Sequence, residues 1–166
     1  MPELDELVAR GVLMGVAGSA FTDLWSLVLR RRFGIATLDY ALLGRWIGHM
    51  SRGRFTHERI AAADPVHGEA ALGWATHGAI GMTFALVLVA IAGRSWLDAP
   101  SLWPALGLGL ATIVAPWFVM QPAMGAGIAG SKTPSPTATR LRNLGTHAVY
   151  GLGLFAAATL LSWLVR

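Results

Sequence analysis

The chain has no cysteine among its 166 residues. Disulfides, thiol nucleophiles, thiolate metal sites and iron–sulfur clusters are thereby excluded. Charge is scarce as well. Asp, Glu, Lys and Arg make up 13% of the residues, against about 25% in an average soluble domain. So few charges cannot cover a water-facing surface, which disfavours a soluble enzyme, a nucleic-acid binder and a disordered tail. What the chain has instead is apolar: 54% hydrophobic residues and a mean hydropathy of +0.54. The length bounds the chain at one domain.

A bilayer core of about 30 Å needs about 20 mostly apolar helical residues. Four stretches meet this, at about 7–29, 70–91, 102–120 and 144–164. Their alanine, leucine and glycine content suits packed helices, and the period-two alternation of a membrane β-barrel is missing. The sequence therefore predicts an all-α integral membrane four-helix bundle, a single transmembrane domain. Gly11 with Gly15, and Ala105 with Gly109, form small-xxx-small steps that let helices approach closely. The opening Met1-Pro2-Glu3-Leu4-Asp5-Glu6 is acidic and lacks the basic region of a signal peptide, so the first span is expected to remain.

The net charge of +4 is concentrated in blocks. Arg30, Arg31, Arg32, Arg45, Arg52, Arg54 and Arg59 lie between the first two spans, and Lys132, Arg140 and Arg142 between the last two. Only Arg94 lies between the second and third spans, and only Arg10 near the N-terminus. The positive-inside rule turns both basic loops to the cytoplasm and both termini outward. Anionic lipid headgroups are the expected partners of those loops, and nucleic acid is not. Trp25, Trp74 and Trp117 fall near the inner interface and Trp96, Trp103 and Trp163 near the outer one, as two aromatic belts should.

Part of the first basic loop has helical spacing: Leu38, Ala41, Leu42, Arg45, Trp46 and His49, with Thr37 placed to cap the start. This predicts a short helix, either at the headgroup level or as a soluble amphipathic connector. His49, His57 and His67 are expected to be solvated. With Glu58, Asp64 and Glu69 they offer a weak alternative as cation ligands. The second basic loop, Gln121 to Pro136, is unlike a plain linker. Met124, Gly125 and Gly127 give it an apolar, glycine-rich start, and glycine lets a backbone approach a helix, headgroup or ligand closely. The phosphate-binding P-loop spacing is absent. A packed re-entrant turn and a ligand-contacting loop both remain open.

Spans two and four share the pattern T-H-x-x-x-G, as Thr76-His77 with Gly81 and Thr146-His147 with Gly151. Spans one and three match through Gly15 with Gly107 and Trp25 with Trp117. A duplicated helical hairpin is the simplest reading, and it would be a parallel repeat.

Each span also brings one polar side chain to similar depth on the cytoplasmic side: Asp23, His77, Gln121 and His147, with Thr22, Thr76 and Thr146 beside them. Intramembrane ionisable residues usually face the bundle interior and mark function. Three readings stand open. The layer is a hydrogen-bond clamp; or a site for a proton, divalent metal or small polar solute, with Asp23, His77 and His147 as metal ligands; or a bis-histidine haem b site, with Gly81 and Gly151 leaving room for a porphyrin. No nucleophile with an adjacent base is evident for an enzyme acting on lipid.

Thr22-Asp23-Leu24-Trp25, Asp39-Tyr40-Ala41-Leu42-Leu43-Gly44-Arg45-Trp46, Gln121-Pro122-x-Met124-Gly125-x-Gly127, Ser131-Lys132-Thr133-Pro134 and Thr146-His147 together resemble a bacterial family of small four-helix inner-membrane proteins described as a domain of unknown function. The resemblance covers nearly the whole chain. It implies a bacterial inner-membrane location and supplies no reaction or ligand. The expectation for function is a non-enzymatic membrane protein that binds or transports a small solute or ion, or serves as a subunit of a homo-oligomer or larger membrane complex. A haem- or metal-binding redox protein is the alternative. The candidate binding residues are Asp23, Thr76, His77, Gln121, Met124, Gly125, Gly127, Thr146 and His147.

Overall fold

The computed structural model describes residues 2–165, and no strand occurs among them. Five helices carry the fold: α1 (Pro2–Phe33), α2 (Tyr40–Met50), α3 (Glu69–Asp98), α4 (Leu102–Ala123) and α5 (Pro136–Leu164). All but α2 are long and apolar enough to cross a membrane. Each contains one expected span and runs beyond it. α1 ends on Arg30, Arg31 and Arg32, whose charges suit the negative end of a helix dipole. α4 is not uniform. Residues Pro116–Met120 form a π turn, one residue wider than an α turn, beginning at a proline that has no N–H to give the ladder.

The short helix α2 forms where the spacing places it, but its cap lies later than Thr37. Asp39 is the N-cap, and its Oδ1 accepts the Ala41 N–H at 2.9 Å. A carboxylate satisfies a free N–H of the first turn and favours the positive helix end.

The chain forms two compact units. The first gathers Gly78–Thr112, the chain up to Ile35 and the chain from Gly145. Its core holds Met14, Ala85, Leu88, Leu97, Ala105, Tyr150, Leu154 and Ala158. Three helix crossings define it, and at one of them a Cβ on Gly153 of α5 would come within 3.0 Å of Gly18 Cα of α1. A Cβ on Gly15 of α1 would strike the Met82 backbone of α3, and one on Gly81 would strike Ser19 of α1. A Cβ on Gly109 of α4 would come within 2.7 Å of Gly151 Cα of α5, and one on Gly151 within 2.8 Å of Ala105 O. Gly81 and Gly151 thus occupy corresponding places, each pressed on the first helix of its own pair. The counterpart of Gly15 is Gly109, not Gly107, which has nothing within 4 Å of its Cβ position. The Tyr150 hydroxyl donates to the Gly81 carbonyl at 2.5 Å, tying α5 to α3.

At the end of this unit that holds the start of α1, Arg10 is buried. It donates to Leu97 O at 2.7 Å and approaches Glu6 and Asp98 at 3.3 Å. Arg94 reaches Glu3 and Glu6 at 3.3 Å. Trp96 departs from the expected aromatic belt. It is 7% exposed, packed in the core, with its indole N–H on Ser101 O at 3.0 Å. Trp103 and Trp163 are exposed, as belt residues should be.

The second unit gathers Ala36–His77 and Ile113–Leu144. Its core is Leu43, Trp46, Ile60, Ala123 and Met124. The apolar face of α2 is therefore covered by protein. Arg45 fixes it further through a two-point ion pair to Glu69, Nε–Oε2 2.8 Å and Nη2–Oε1 2.7 Å, and through a bond to Ala63 O at 3.0 Å. Glu69 Oε2 also accepts the Val66 N–H at 2.9 Å, fixing the turn that leads into α3. The loop between the first two spans is thus a folded element.

A basic cleft between two stitched loop segments

Within the second unit, residues 57–60 and 123–124 pair through their backbones. His57 N–H donates to Ala123 O at 2.8 Å and Ile60 N–H to Met124 O at 3.1 Å. Gly125, at φ +92°, lies against the Glu58 carbonyl so closely that any Cβ would collide with it. A non-glycine residue here would carry both a left-handed backbone and a clash. The turn then closes on itself: Ala126 N–H bonds Gln121 O at 2.8 Å, and Lys132 N–H bonds Ala126 O at 2.9 Å. Gly127 has φ +73°, and its Cβ position is filled by Ser131. Of the two readings of the second loop, the packed turn is what forms, and it also lines a cavity.

That cavity is an open cleft of about 980 Å³. Arg54, Arg59 and Lys132 bring three cations to its lining, with Glu58 as the one carboxylate and His57 beside them. Pro122 and Gly125 of the stitched turn complete one side.

His49 and His57 are not solvated as the sequence suggested. They are 4% and 6% exposed, because the α2 core and the 57–124 pairing close over them. His67 is exposed. His49 Nδ1 lies 2.7 Å from His57 Nε2, and His49 Nε2 lies 3.1 Å from the Asp64 carbonyl. A carbonyl only accepts, so His49 carries its proton on Nε2. The Nδ1 of a neutral His49 then accepts, and His57 Nε2 donates to it. His57 Nδ1 is left as a bare acceptor, buried and without a partner. Burial, and then the nearby charge of Arg54 and the His49 ring, hold the His57 pKa below the ordinary histidine value, while the Ala123 carbonyl beside the ring works the other way. The Arg45 guanidinium is held more firmly charged by its hydrogen bond to Glu69.

The expected polar layer is placed as follows. Asp23 and His147 belong to the first unit, and His77 and Gln121 to the second. His147 Nδ1 lies 2.8 Å from Thr112 Oγ1 and 3.2 Å from Gly109 O. His77 stacks on Tyr40 at 4.3 Å between ring centroids, with Nε2 3.3 Å from the Tyr40 hydroxyl and Trp74 edge-on. Asp23, Thr76 and Thr146 are half-buried. Gln121, 9% exposed, donates from Nε2 to Asn143 Oδ1 at 2.6 Å, which also accepts from Trp117 Nε1 at 3.0 Å. Gln121 Oε1 is buried without a partner. Among the described residues no three His, Asp or Glu side chains are gathered to hold a metal ion. The glycines expected beside a porphyrin do not leave it room. Ser19 occupies the space at Gly81, and the Ala105–Leu106 backbone that at Gly151.

The family described as "Protein of unknown function (DUF2938)" matches residues 12–161. The chain belongs to that family. No curated protein and no solved structure matches it. The family match takes in both units, including the stitched turn and every residue that lines the cleft.

The sequence reading singled out Gln121, Met124, Gly125 and Gly127, and the structure brings these together with residues 57–60. It missed Arg54, His57, Glu58, Arg59 and Lys132 as a group. Their arginines and lysine are read from the sequence as markers of orientation and as contacts for anionic headgroups, and no sequence spacing links 54–59 to Lys132.

Proposed function

We propose that this chain is a non-enzymatic protein of the bacterial inner membrane that binds a small solute or ion in the cleft of its second unit, as a step toward moving it across or along the membrane. The observation that carries the reading is the cleft itself. Segments that a four-span protein uses as plain linkers are here stitched by backbone bonds around about 980 Å³ of open space lined by Arg54, Arg59, Lys132 and Glu58. Ligand sites are concave, a few hundred to about 1,000 Å³, with few well-placed polar groups. The arginine distribution supports a cytoplasmic position for the cleft and external termini.

The absence of cysteine makes the test direct. In Thr56→Cys the only thiol lies in the cleft lining. The small-molecule fraction of a bacterial cell extract should slow its labelling by a maleimide, and should leave labelling of Leu38→Cys, exposed and outside the cleft lining, unchanged. Equal labelling of Thr56→Cys in extract and in buffer would overturn the reading.

A further inference from the structure

We propose that the cleft takes a phosphate group, carried either by a soluble phosphate monoester or by the headgroup of a phosphomonoester lipid. This rests on the reading of the cleft as a solute site and names the chemistry of its ligand.

Three observations point to phosphate. The first is charge. Arg54, Arg59 and Lys132 face one carboxylate, Glu58, so the lining carries two net positive charges with His57 neutral. That balance matches a dianion. Two guanidinium groups can each present paired donors to phosphate oxygens, and the ammonium adds a point charge. The second is that the cations come from separate stretches of chain, at 54–59 and at 132, held together by the pairing of His57 with Ala123 and Ile60 with Met124. Like charges gathered by a folded turn repel one another unless an anion lies among them.

The third is size. The cleft is far larger than one phosphate, which leaves space for the alcohol part of an ester.

The test uses the detergent-purified full chain at about pH 7.5 and constant ionic strength. Inorganic phosphate, glycerol phosphate and dihexanoyl phosphatidic acid are titrated by calorimetry, with choline chloride as the control. Phosphate probes should bind, and choline chloride should not. Arg54→Gln and Lys132→Gln, both at exposed positions, should each weaken binding by about tenfold while the circular dichroism spectrum stays that of the unaltered chain. Binding of glycerol phosphate marks a soluble source. Binding of phosphatidic acid alone marks a lipid headgroup. Either supports the shared chemistry. Failure of every phosphate probe, or affinity unchanged in both variants, would each overturn it. Citrate, spermidine and magnesium titrated in parallel separate the two levels of the argument. Should one of them bind and depend on Arg54 or Lys132, the cleft is a solute site and only the phosphate assignment fails. Should Thr56→Cys also go unprotected by extract, both fail.

Discussion

His49 Nδ1 and His57 Nε2 lie 2.7 Å apart, two imidazoles sharing one hydrogen bond inside a folded loop. Protonating His57 puts a charge where burial, Arg54 and His49 all oppose it. The unfolded chain takes up that proton at the ordinary pKa of about 6.5, and the folded chain only at lower pH. This contribution to stability is therefore intact above about pH 6.5 and is lost as pH falls from there through the folded pKa. Thermal unfolding should show a lower Tm at about pH 5.5 than at about pH 7.5, with a smaller difference in His57→Asn. An identical pH dependence in the variant would sink the assignment.

Arg45 and Glu69 join α2 to the start of α3 through two bonds, and Arg45 also serves Ala63 O. Arg45→Met and Glu69→Gln should each lower the Tm. The double variant should lose clearly less than the sum of the two, since the second substitution removes a partner already stranded. Strict additivity would mean that the pair contributes nothing to the fold.

Gly125→Ala should destabilise the second unit by about 1–3 kcal/mol through its positive φ alone, and by more through the collision with the Glu58 carbonyl. Hydrogen exchange of the His57 and Ile60 amides is the appropriate probe, because those amides bond Ala123 and Met124. Unchanged protection would contradict the stitched turn.

Gly109 and Gly107 differ by two residues and should differ sharply in tolerance. Gly109→Leu drives a side chain into the Gly151 backbone of α5, at a cost of about 1–3 kcal/mol or more from overpacking. Gly107→Leu meets open space and should be near neutral. Comparable losses of Tm in both variants would place the crossing elsewhere.

The four apolar spans were legible because composition and length alone demand them, and α2 because Leu42, Arg45, Trp46 and His49 keep helical spacing. The matching places of Gly81 and Gly151 were legible in T-H-x-x-x-G, yet Gly15 was aligned with Gly107 instead of Gly109. A glycine-rich helix offers several registers, and only the crossing itself selects one. The cleft was the least legible part. Residues 57 and 123 are distant in sequence, and their pairing follows from backbone bonds that no side-chain pattern encodes. The histidines were read as solvated for the same reason: burial in a charged loop depends on what folds over it. Asp39 outcompeted Thr37 as the cap by lying directly before Tyr40, the first helical residue.

The glycine crossings of Gly15 with Gly81, and of Gly109 with Gly151, bear on how the bilayer itself acts on this protein. Where two backbones touch, no acyl chain can enter between them, and neither helix can tilt without its partner. A bilayer that thickens or thins changes the match between lipid and apolar length, which single helices relieve by tilting. Here the pairs α1 with α3 and α4 with α5 are themselves joined, by Tyr150 on the Gly81 carbonyl and by Gly153 against Gly18, so mismatch acts on one coupled group of helices rather than four independent rods.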